Sequence, residues 1–260
     1  MATEESPRTE EVTLYNRSLM MEAFGLSDPG CVRSNNEDYY LLVKPLDLYL
    51  LADGMGGAQA GEHASKLAVD TVAECVLKAG STSGQVLLDA IQEANRRVLR
   101  EAEGDSTLHG MGTTLTACWR IGEELLFANV GDSRAYIYHD GELHIITEDQ
   151  TWVNEVGRRL GIGDEALKSH PMRHVLTMAI GVSESVRIQS YAVPIVPNAQ
   201  FLLSSDGLHG VLAEETIQQM LAGDGSLEEK CRRLIDAAKE AGGPDNVTAV
   251  LLQTPVNGNG

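Results

Sequence analysis

The order of the predicted strands and helices constrains the fold of this chain more than any other feature. Alternating apolar residues predict strands up to about residue 51, and apolar residues at helical spacing then predict two helices, at about 61–79 and 85–102. More strands, a second pair of helices and one final strand follow. A doubly wound parallel sheet would alternate one helix with each strand, and this order does not. The order predicts an α+β fold instead, a four-layer αββα sandwich in which two packed antiparallel sheets are flanked by helix pairs.

The composition is typical of one globular domain. The chain has 260 residues, of which 43% are hydrophobic and 22% charged. We predict one domain at 19–254 between flexible tails at 1–18 and 255–260. Residues 147–180 interrupt the regular pattern: Thr147-Glu148-Asp149-Gln150 fits a capping box before a short helix, and scattered charges follow. We expect this segment to be a mobile excursion on the surface.

Charge and cysteine usage restrict the environment and the partners. No apolar run approaches the roughly 18 residues of a membrane helix, and the acidic N-terminus does not resemble a secretory signal. The four cysteines form no C-x-x-C pair, which favours free thiols and a cytoplasmic location. With 38 acidic and 20 basic residues the net charge is −18, so nucleic-acid binding through a basic face is disfavoured. An acidic protein that handles an anion needs a local reversal of sign, which a bound divalent cation provides.

Acidic residues recur in turns at the ends of the predicted strands. They are Glu37 and Asp38, Asp53, Asp132, Asp206 and Asp245. A single Asp-Gly is usually only a turn, but several at strand ends can aim their carboxylates at one point, where they would repel one another without a cation. Oxygen ligands select Mg²⁺ or Mn²⁺ over zinc or copper. Arg33, beside the first pair, suits either a bidentate grip on phosphate or a plain salt bridge.

These motifs resemble those of the metal-dependent serine/threonine protein phosphatases, the PPM or type 2C family, in its bacterial branch. The resemblance covers about residues 20–253, and its motifs occur in the family's order. They are Gly30-x-x-Arg33-x-x-Asn36-Glu37-Asp38, Asp53-Gly54-Met55-Gly56-Gly57, Gly112-Thr113-Thr114, Gly131-Asp132-Ser133-Arg134, Ser205-Asp206-Gly207-Leu208 and Gly243-Pro244-Asp245-Asn246. Six such motifs in order make a chance match very improbable.

The resemblance implies a role for each matching residue. Asp53 would bridge two Mn²⁺ or Mg²⁺ ions, and the Gly54 carbonyl would bind one of them. The remaining residues would complete the site: Asp206 and Asp245 at the first metal, Glu37 and Asp38 holding metal-bound waters, Asn246 supporting Asp245, Asp132 with Asp206 at a third, weaker metal, and Arg33 on the substrate phosphate. Residues 147–180 would form the flap beside the active site.

The implied activity is hydrolysis of phosphoserine and phosphothreonine by direct attack of a metal-bridged water or hydroxide. Many members carry His where this chain has Met55, so the proton donor to the leaving group stays open. The expected partners are phosphorylated proteins, a Ser/Thr kinase among them, with no nucleic acid or membrane, and the expected state is a monomer. A catalytically silent binding module on the same fold is the alternative, which the complete acid set disfavours. The acidic surface favours substrates with basic flanks through long-range steering.

Overall fold

The computed structural model describes residues 20–168 and 170–256, which form two antiparallel sheets and six α-helices. The strands are β1 (Glu22–Asp28), β2 (Asp38–Val43), β3 (Leu48–Met55), β4 (Gly112–Thr113), β5 (Leu115–Ile121), β6 (Glu124–Val130), β7 (Arg134–His139), β8 (Glu142–Ile145), β9 (Gln189–Pro194), β10 (Gln200–Ser204) and β11 (Val247–Gln253). The helices are α1 (Ala58–Lys78), α2 (Gly84–Gly104), α3 (Asp164–Lys168), α4 (Asp206–His209), α5 (Glu214–Ala222) and α6 (Leu227–Glu240). None of the helices in the described ranges is long and apolar enough to cross a membrane.

Three apolar layers hold the elements together. One sheet has the order β1-β11-β10-β7-β8 and the other β2-β3-β5-β6-β9, with β4 paired to β3. Side chains such as Phe127 and Phe201 fill the space between the sheets. A second layer joins α1 and α2 to the outer face of one sheet, and a third joins α4, α5 and α6 to the other. The predicted αββα sandwich is therefore confirmed.

The antiparallel register brings the acidic turns to one end of the sandwich. Asp38 begins β2 and lies directly opposite Asp53 near the end of β3. Asp206 follows the end of β10, and Asp245 precedes β11, the strand that pairs with β10. In an antiparallel pair, the end of one strand neighbours the start of the next. Strand pairing alone therefore gathers carboxylates from distant parts of the chain.

The segment 147–180, which we call the flap, differs from the prediction. The expected helix after Trp152 is a single π-helical turn, Val153–Gly157, and the expected capping box does not form. The side chains that would cap it are bonded to the sandwich: the Thr147 hydroxyl accepts from the Ala135 amide, and the Gln150 carbonyl oxygen accepts from the Gly131 amide. The capping prediction was wrong because tertiary hydrogen bonds took the capping groups.

The domain boundaries stay a prediction. Residues 1–18 and 257–260 of the predicted tails lie outside the described residues.

Candidate metal and phosphate site

A cleft of about 430 Å³ opens at the end of the sandwich where the acidic turns meet. Four aspartates from four different turns line it: Asp53, Asp132, Asp206 and Asp245. We call these four, together with the buried Asp38 behind them, the acid cluster. Arg33, Glu37 and Asn246 line the same cleft, as do Gly54 and Met55 from the end of β3. The structure thus brings together all of the site residues that the sequence predicts, with Asp38 just beneath the surface.

The backbone around Asp53 is fixed from both sides. Its amide donates to the Thr114 hydroxyl at 2.9 Å, and its carbonyl accepts from the Thr113 hydroxyl and the Thr114 amide, both at 2.9 Å. The Gly54 amide donates to the Glu37 carbonyl at 3.1 Å. A Cβ at Gly54 would collide with the Gly61 carbonyl, so only glycine allows α1 to start this close. Asp53 therefore points into the cleft from a rigid support.

Asp38 is a buried carboxylate with one oxygen left over. One oxygen accepts from the Ser205 hydroxyl at 2.7 Å and from the Thr248 hydroxyl at 2.6 Å. The other has no hydrogen-bond partner among the described residues. Burial raises the pKa of Asp38 to about 7, more than the two hydroxyls lower it. An unpaired, buried carboxylate oxygen behind the cleft suits a water or cation there.

Asn246 connects Asp245 to the loop that carries Arg33 and Glu37. Its backbone amide donates to an Asp245 carboxylate oxygen at 2.9 Å. Its side-chain oxygen accepts from the Glu37 amide at 2.8 Å, and its side-chain nitrogen donates to the Asn35 carbonyl at 2.8 Å. One side chain thus holds the Glu37 loop in place beside the start of β11.

Arg33 is at the rim of the cleft and pairs with Asp245. The guanidinium donates to the second Asp245 oxygen at 2.8 Å, while 49% of the Arg33 side chain stays exposed. Asp245 raises the pKa of Arg33, which keeps the guanidinium charged. Of the two predicted uses of Arg33, the structure therefore shows the salt bridge. Half of the side chain still faces solvent and can meet an incoming anion.

Burial and mutual repulsion raise the pKa values of several carboxylates in the acid cluster. Burial, then the nearby Asp38 and Asp206, raises the pKa of Asp53 well above its ordinary value. Burial and Asp206 raise the pKa of Asp132 to about 8, and burial followed by Asp245 raises that of Asp206. Neighbouring carboxylates raise one another's pKa because like charges oppose ionisation. The cluster therefore holds protons near neutral pH unless a cation compensates the charge.

The donor set fits hard divalent cations. It consists of carboxylates and a backbone carbonyl, the oxygen ligands that Mg²⁺ and Mn²⁺ prefer. In the described part of the chain, however, no three His, Cys, Asp or Glu side chains converge closely enough to hold a metal ion as they stand. Both Asp245 oxygens already have a donor, in Arg33 and the Asn246 amide. Each of these oxygens keeps a second lone pair for a cation, but the acidic side chains must move closer together to share one.

Sequence patterns did not predict His174 as a residue of the cleft, and they assigned no role to Thr114 although it belongs to the Gly112-Thr113-Thr114 motif. His174 lines the cleft from the flap, close enough to Asp206 to lower the pKa of that carboxyl. Thr114 supports Asp53 as described and also bonds the Ser133 hydroxyl at 2.7 Å. His174 lies in a segment without periodicity, where no pattern separates a cleft residue from a surface one. His209, the histidine nearest a predicted motif, lies partly buried against Ser204, and this burial lowers its pKa well below the ordinary value.

The flap is attached to the sandwich beside the acid cluster. Arg134 at the start of β7 donates two hydrogen bonds of 2.8 Å to the Asp149 carboxylate. Within the flap, the Trp152 ring stacks on the His170 ring at 4.5 Å between centroids. The flap therefore has a fixed base next to Asp132 and an aromatic contact of its own.

Comparison with known proteins gives one consistent family. The model for protein phosphatase 2C matches residues 32–251. The serine/threonine phosphatase stp of Listeria monocytogenes is 34% identical over 248 residues, which cover 92% of this chain and 98% of that protein. The crystal structure of the serine/threonine phosphatase PstP/Ppp of Mycobacterium tuberculosis superposes with a TM-score of 0.83 at 36% identity, covering 91% of this chain and 99% of that one.

A further crystal structure concerns the metals. The catalytic domain of the phosphatase PstP in complex with two manganese ions superposes with a TM-score of 0.81 at 34% identity, covering 92% of this chain and 100% of that one. The predicted resemblance is therefore confirmed by sequence and by fold. This chain belongs to the protein phosphatase 2C family.

Proposed function

We propose that this protein is a metal-dependent protein phosphatase that hydrolyses phosphoserine and phosphothreonine in other proteins. The observation that carries the proposal is the convergence of four aspartates from distant turns in one cleft, with an arginine at its rim. An uncompensated group of carboxylates would repel a phosphate. The same group loaded with divalent cations attracts it, and Arg33 adds a guanidinium that can hold two phosphoryl oxygens.

The residues that would hold two cations are Asp53, the Gly54 carbonyl, Asp206 and Asp245. Glu37 and Asp38 would hold waters that bind these cations, and Asp132 with Asp206 would hold a third. The two manganese ions of the related PstP catalytic domain support Mn²⁺ or Mg²⁺ as the cations that this site would take. Bound cations of this kind supply an acidified water and positive charge against the phosphoryl oxygens.

The chain's own residues prepare the site for this chemistry. The Thr113–Thr114 turn holds the Asp53 backbone, and Ser205 and Thr248 hold Asp38. Arg33 would turn from Asp245 toward the substrate phosphate, so the salt bridge and the phosphate contact are two states of one side chain. Met55 lines the cleft and has no proton to give to a leaving alkoxide. We therefore assign that proton to water.

Hydrolysis of a phosphothreonine peptide, measured as released phosphate, tests the proposal. We expect turnover in 1–2 mM MnCl₂ and none after treatment with excess EDTA, with recovery when Mn²⁺ is restored. Turnover that persists in EDTA would reject the metal-dependent mechanism. Absence of turnover with both Mn²⁺ and Mg²⁺ would favour the silent binding module, which would still bind the peptide.

We also propose a cytoplasmic monomer that opposes a Ser/Thr kinase. Free thiols at all four cysteines support a reducing compartment. A serine/threonine phosphatase acts on proteins that a Ser/Thr kinase has phosphorylated, and an autophosphorylated kinase would be one such substrate. Sedimentation of the purified protein, and its activity on an autophosphorylated kinase from the same cell, test these two statements.

A further inference from the structure

A second concavity, which we call the groove, continues from the cleft. It has a volume of about 1020 Å³ and shares Arg33, Asp206 and Asp245 with the cleft. One wall is the flap, and the other is α4 with the residues that follow it. Because the two concavities are continuous, a peptide whose phosphorylated residue reaches the acid cluster can place neighbouring residues in the groove.

The flap wall of the groove carries two exposed arginines, Arg158 and Arg173. Neither forms a salt bridge with any carboxylate whose side chain the structure describes. The other two arginines of the groove are both paired, Arg33 with Asp245 and Arg134 with Asp149. Arg158 and Arg173 are therefore the guanidinium groups of the groove that have their hydrogen-bonding capacity available for a ligand.

The flap that forms this wall has nearly balanced charges, whereas the molecule as a whole is strongly acidic. The chain has a net charge of −18, but the flap carries four Lys or Arg and five Asp or Glu, and one of these acids, Asp149, is already paired with Arg134. One of these acids, Glu165, also lines the groove and has an interaction within the structure. At physiological ionic strength, screening limits exposed charges to about 8 Å, so a bound peptide responds to the wall beside it more than to the distant surface.

We propose that the groove binds acidic residues, Asp or Glu, that flank the phosphorylated Ser or Thr of the substrate. The inference rests on the proposed function, because the groove receives a substrate only if the cleft receives its phosphate. An unpaired guanidinium recognises a carboxylate through two parallel hydrogen bonds. The proposal replaces the expectation of basic flanks, which considered only the total charge of the surface.

The test compares phosphothreonine peptides that differ only in their flanks. Three Glu, three Ala or three Lys are placed on either side of the phosphothreonine, and kcat/KM is measured with Mn²⁺ for each peptide. We expect the wild-type protein to prefer Glu flanks over Ala flanks on one side, by about two- to fivefold per arginine, the range of exposed ion pairs. The preference should shrink at 0.5 M NaCl, where screening is much stronger.

Charge-reversal variants of the two arginines test whether they cause the preference for Glu flanks. Arg158→Glu and Arg173→Glu should each lower the ratio of Glu-flanked to Ala-flanked kcat/KM and raise that of Lys-flanked peptides. Arg159→Glu is the matched control, because Arg159 is the next residue, is also exposed and does not line the groove. It should leave both ratios at their wild-type values. Thermal unfolding of each variant identifies any that fail to fold.

The outcomes separate this inference from the proposed function. Turnover of p-nitrophenyl phosphate, which has no flanks, reports on the cleft alone. If the wild-type protein with Mn²⁺ hydrolyses it but shows no preference for Glu flanks, or if Arg159→Glu changes the ratios as much as Arg158→Glu, the groove assignment is overturned. A further peptide carries a second phosphothreonine in the flank in place of Glu. If only this peptide, and not the Glu-flanked one, has a higher kcat/KM than the Ala-flanked peptide, the carboxylate assignment is overturned. Loss of all turnover overturns the phosphatase assignment itself.

Discussion

The acid cluster and the flap meet at one cleft but are built in opposite ways. Each aspartate of the cluster lies at or next to the end of a strand. The Asp53 amide donates to the Thr114 hydroxyl, and the Ser205 and Thr248 hydroxyls donate to Asp38. The flap has one π-helical turn, the five-residue α3 and a few side-chain anchors such as Trp152 on His170. Chemistry that needs fixed distances is placed on the sheets, while the wall that contacts a variable substrate is placed on the less regular segment.

The largest expected effect separates the two regions by activity. Asp206→Asn removes a charge on which a bound cation would depend, so we expect kcat/KM for a phosphothreonine peptide to fall by about 10³-fold or more, the scale of losing a charged group that acts in the transition state. Asp140→Asn is the control, because Asp140 is 88% exposed in the β7–β8 hairpin, at the opposite end of β7 from the Asp132 turn. Near-normal turnover of Asp206→Asn would contradict the assignment of the site.

Arg33 tests the rim between the two regions. Arg33→Ala removes the guanidinium that would leave Asp245 for the phosphate. We expect KM to rise by about 10- to 100-fold with a smaller change in kcat, the scale of losing a hydrogen bond to a charged group. The KM of Arg33→Lys should lie between those of the wild-type protein and Arg33→Ala. An ammonium keeps the positive charge but lacks the planar guanidinium that forms two parallel hydrogen bonds. A variant with unchanged KM would show that Arg33 serves only as the partner of Asp245.

A pair of aromatic truncations compares the regions by stability. Phe127 is fully buried between the sheets, 5.5 Å from Phe201 between ring centroids, so Phe127→Ala should lower the free energy of unfolding by about 3–5 kcal/mol. Trp152 in the flap is only partly buried, and Trp152→Ala should cost less while lowering kcat/KM several-fold. Denaturant unfolding and peptide turnover measure both variants. If Trp152→Ala destabilised the protein as much as Phe127→Ala, the flap would be part of the core.

The two regions also differ in how well the sequence predicted them. Asp53 and Asp206 were predictable because apolar strands with a clear period lead directly into Asp-Gly turns, and strand pairing then decides where these turns meet. The structure of the flap helix was not predictable. The Gln150 side chain accepts from the Gly131 amide and the Thr147 hydroxyl accepts from the Ala135 amide, and no local sequence pattern indicates that these residues lie close together. His174, Arg158 and Arg173 depend on the same tertiary arrangement. Local periodicity predicts regular elements, and irregular segments obey contacts that only the folded chain reveals.

The smallest expected effect is a pH dependence that belongs to the acid cluster alone. In the folded, metal-free protein the pKa is about 7 for Asp38 and about 8 for Asp132, whereas an unfolded Asp titrates near 3.9. Between about pH 4 and pH 8 the folded state therefore holds protons that the unfolded state has released. The contribution of these two groups to the free energy of unfolding must then fall as pH rises through this window. Their contribution is largest below about pH 4.

Thermal unfolding in EDTA from pH 5.5 to 8.5 measures this dependence. We expect the midpoint to fall by several degrees across the range, and Asp38→Asn to flatten the slope because an amide has no proton to lose. Saturating Mn²⁺ should remove the fall, since a cation binds the ionised carboxylates and stabilises the folded state more as pH rises. A metal-free midpoint that increased with pH would mean that the carboxylates are ionised without a cation, and that the cluster is open to water. Trp152→Ala should leave the slope unchanged, because the two titrating groups, Asp38 and Asp132, lie outside the flap and Trp152 is not a cause of their raised pKa values.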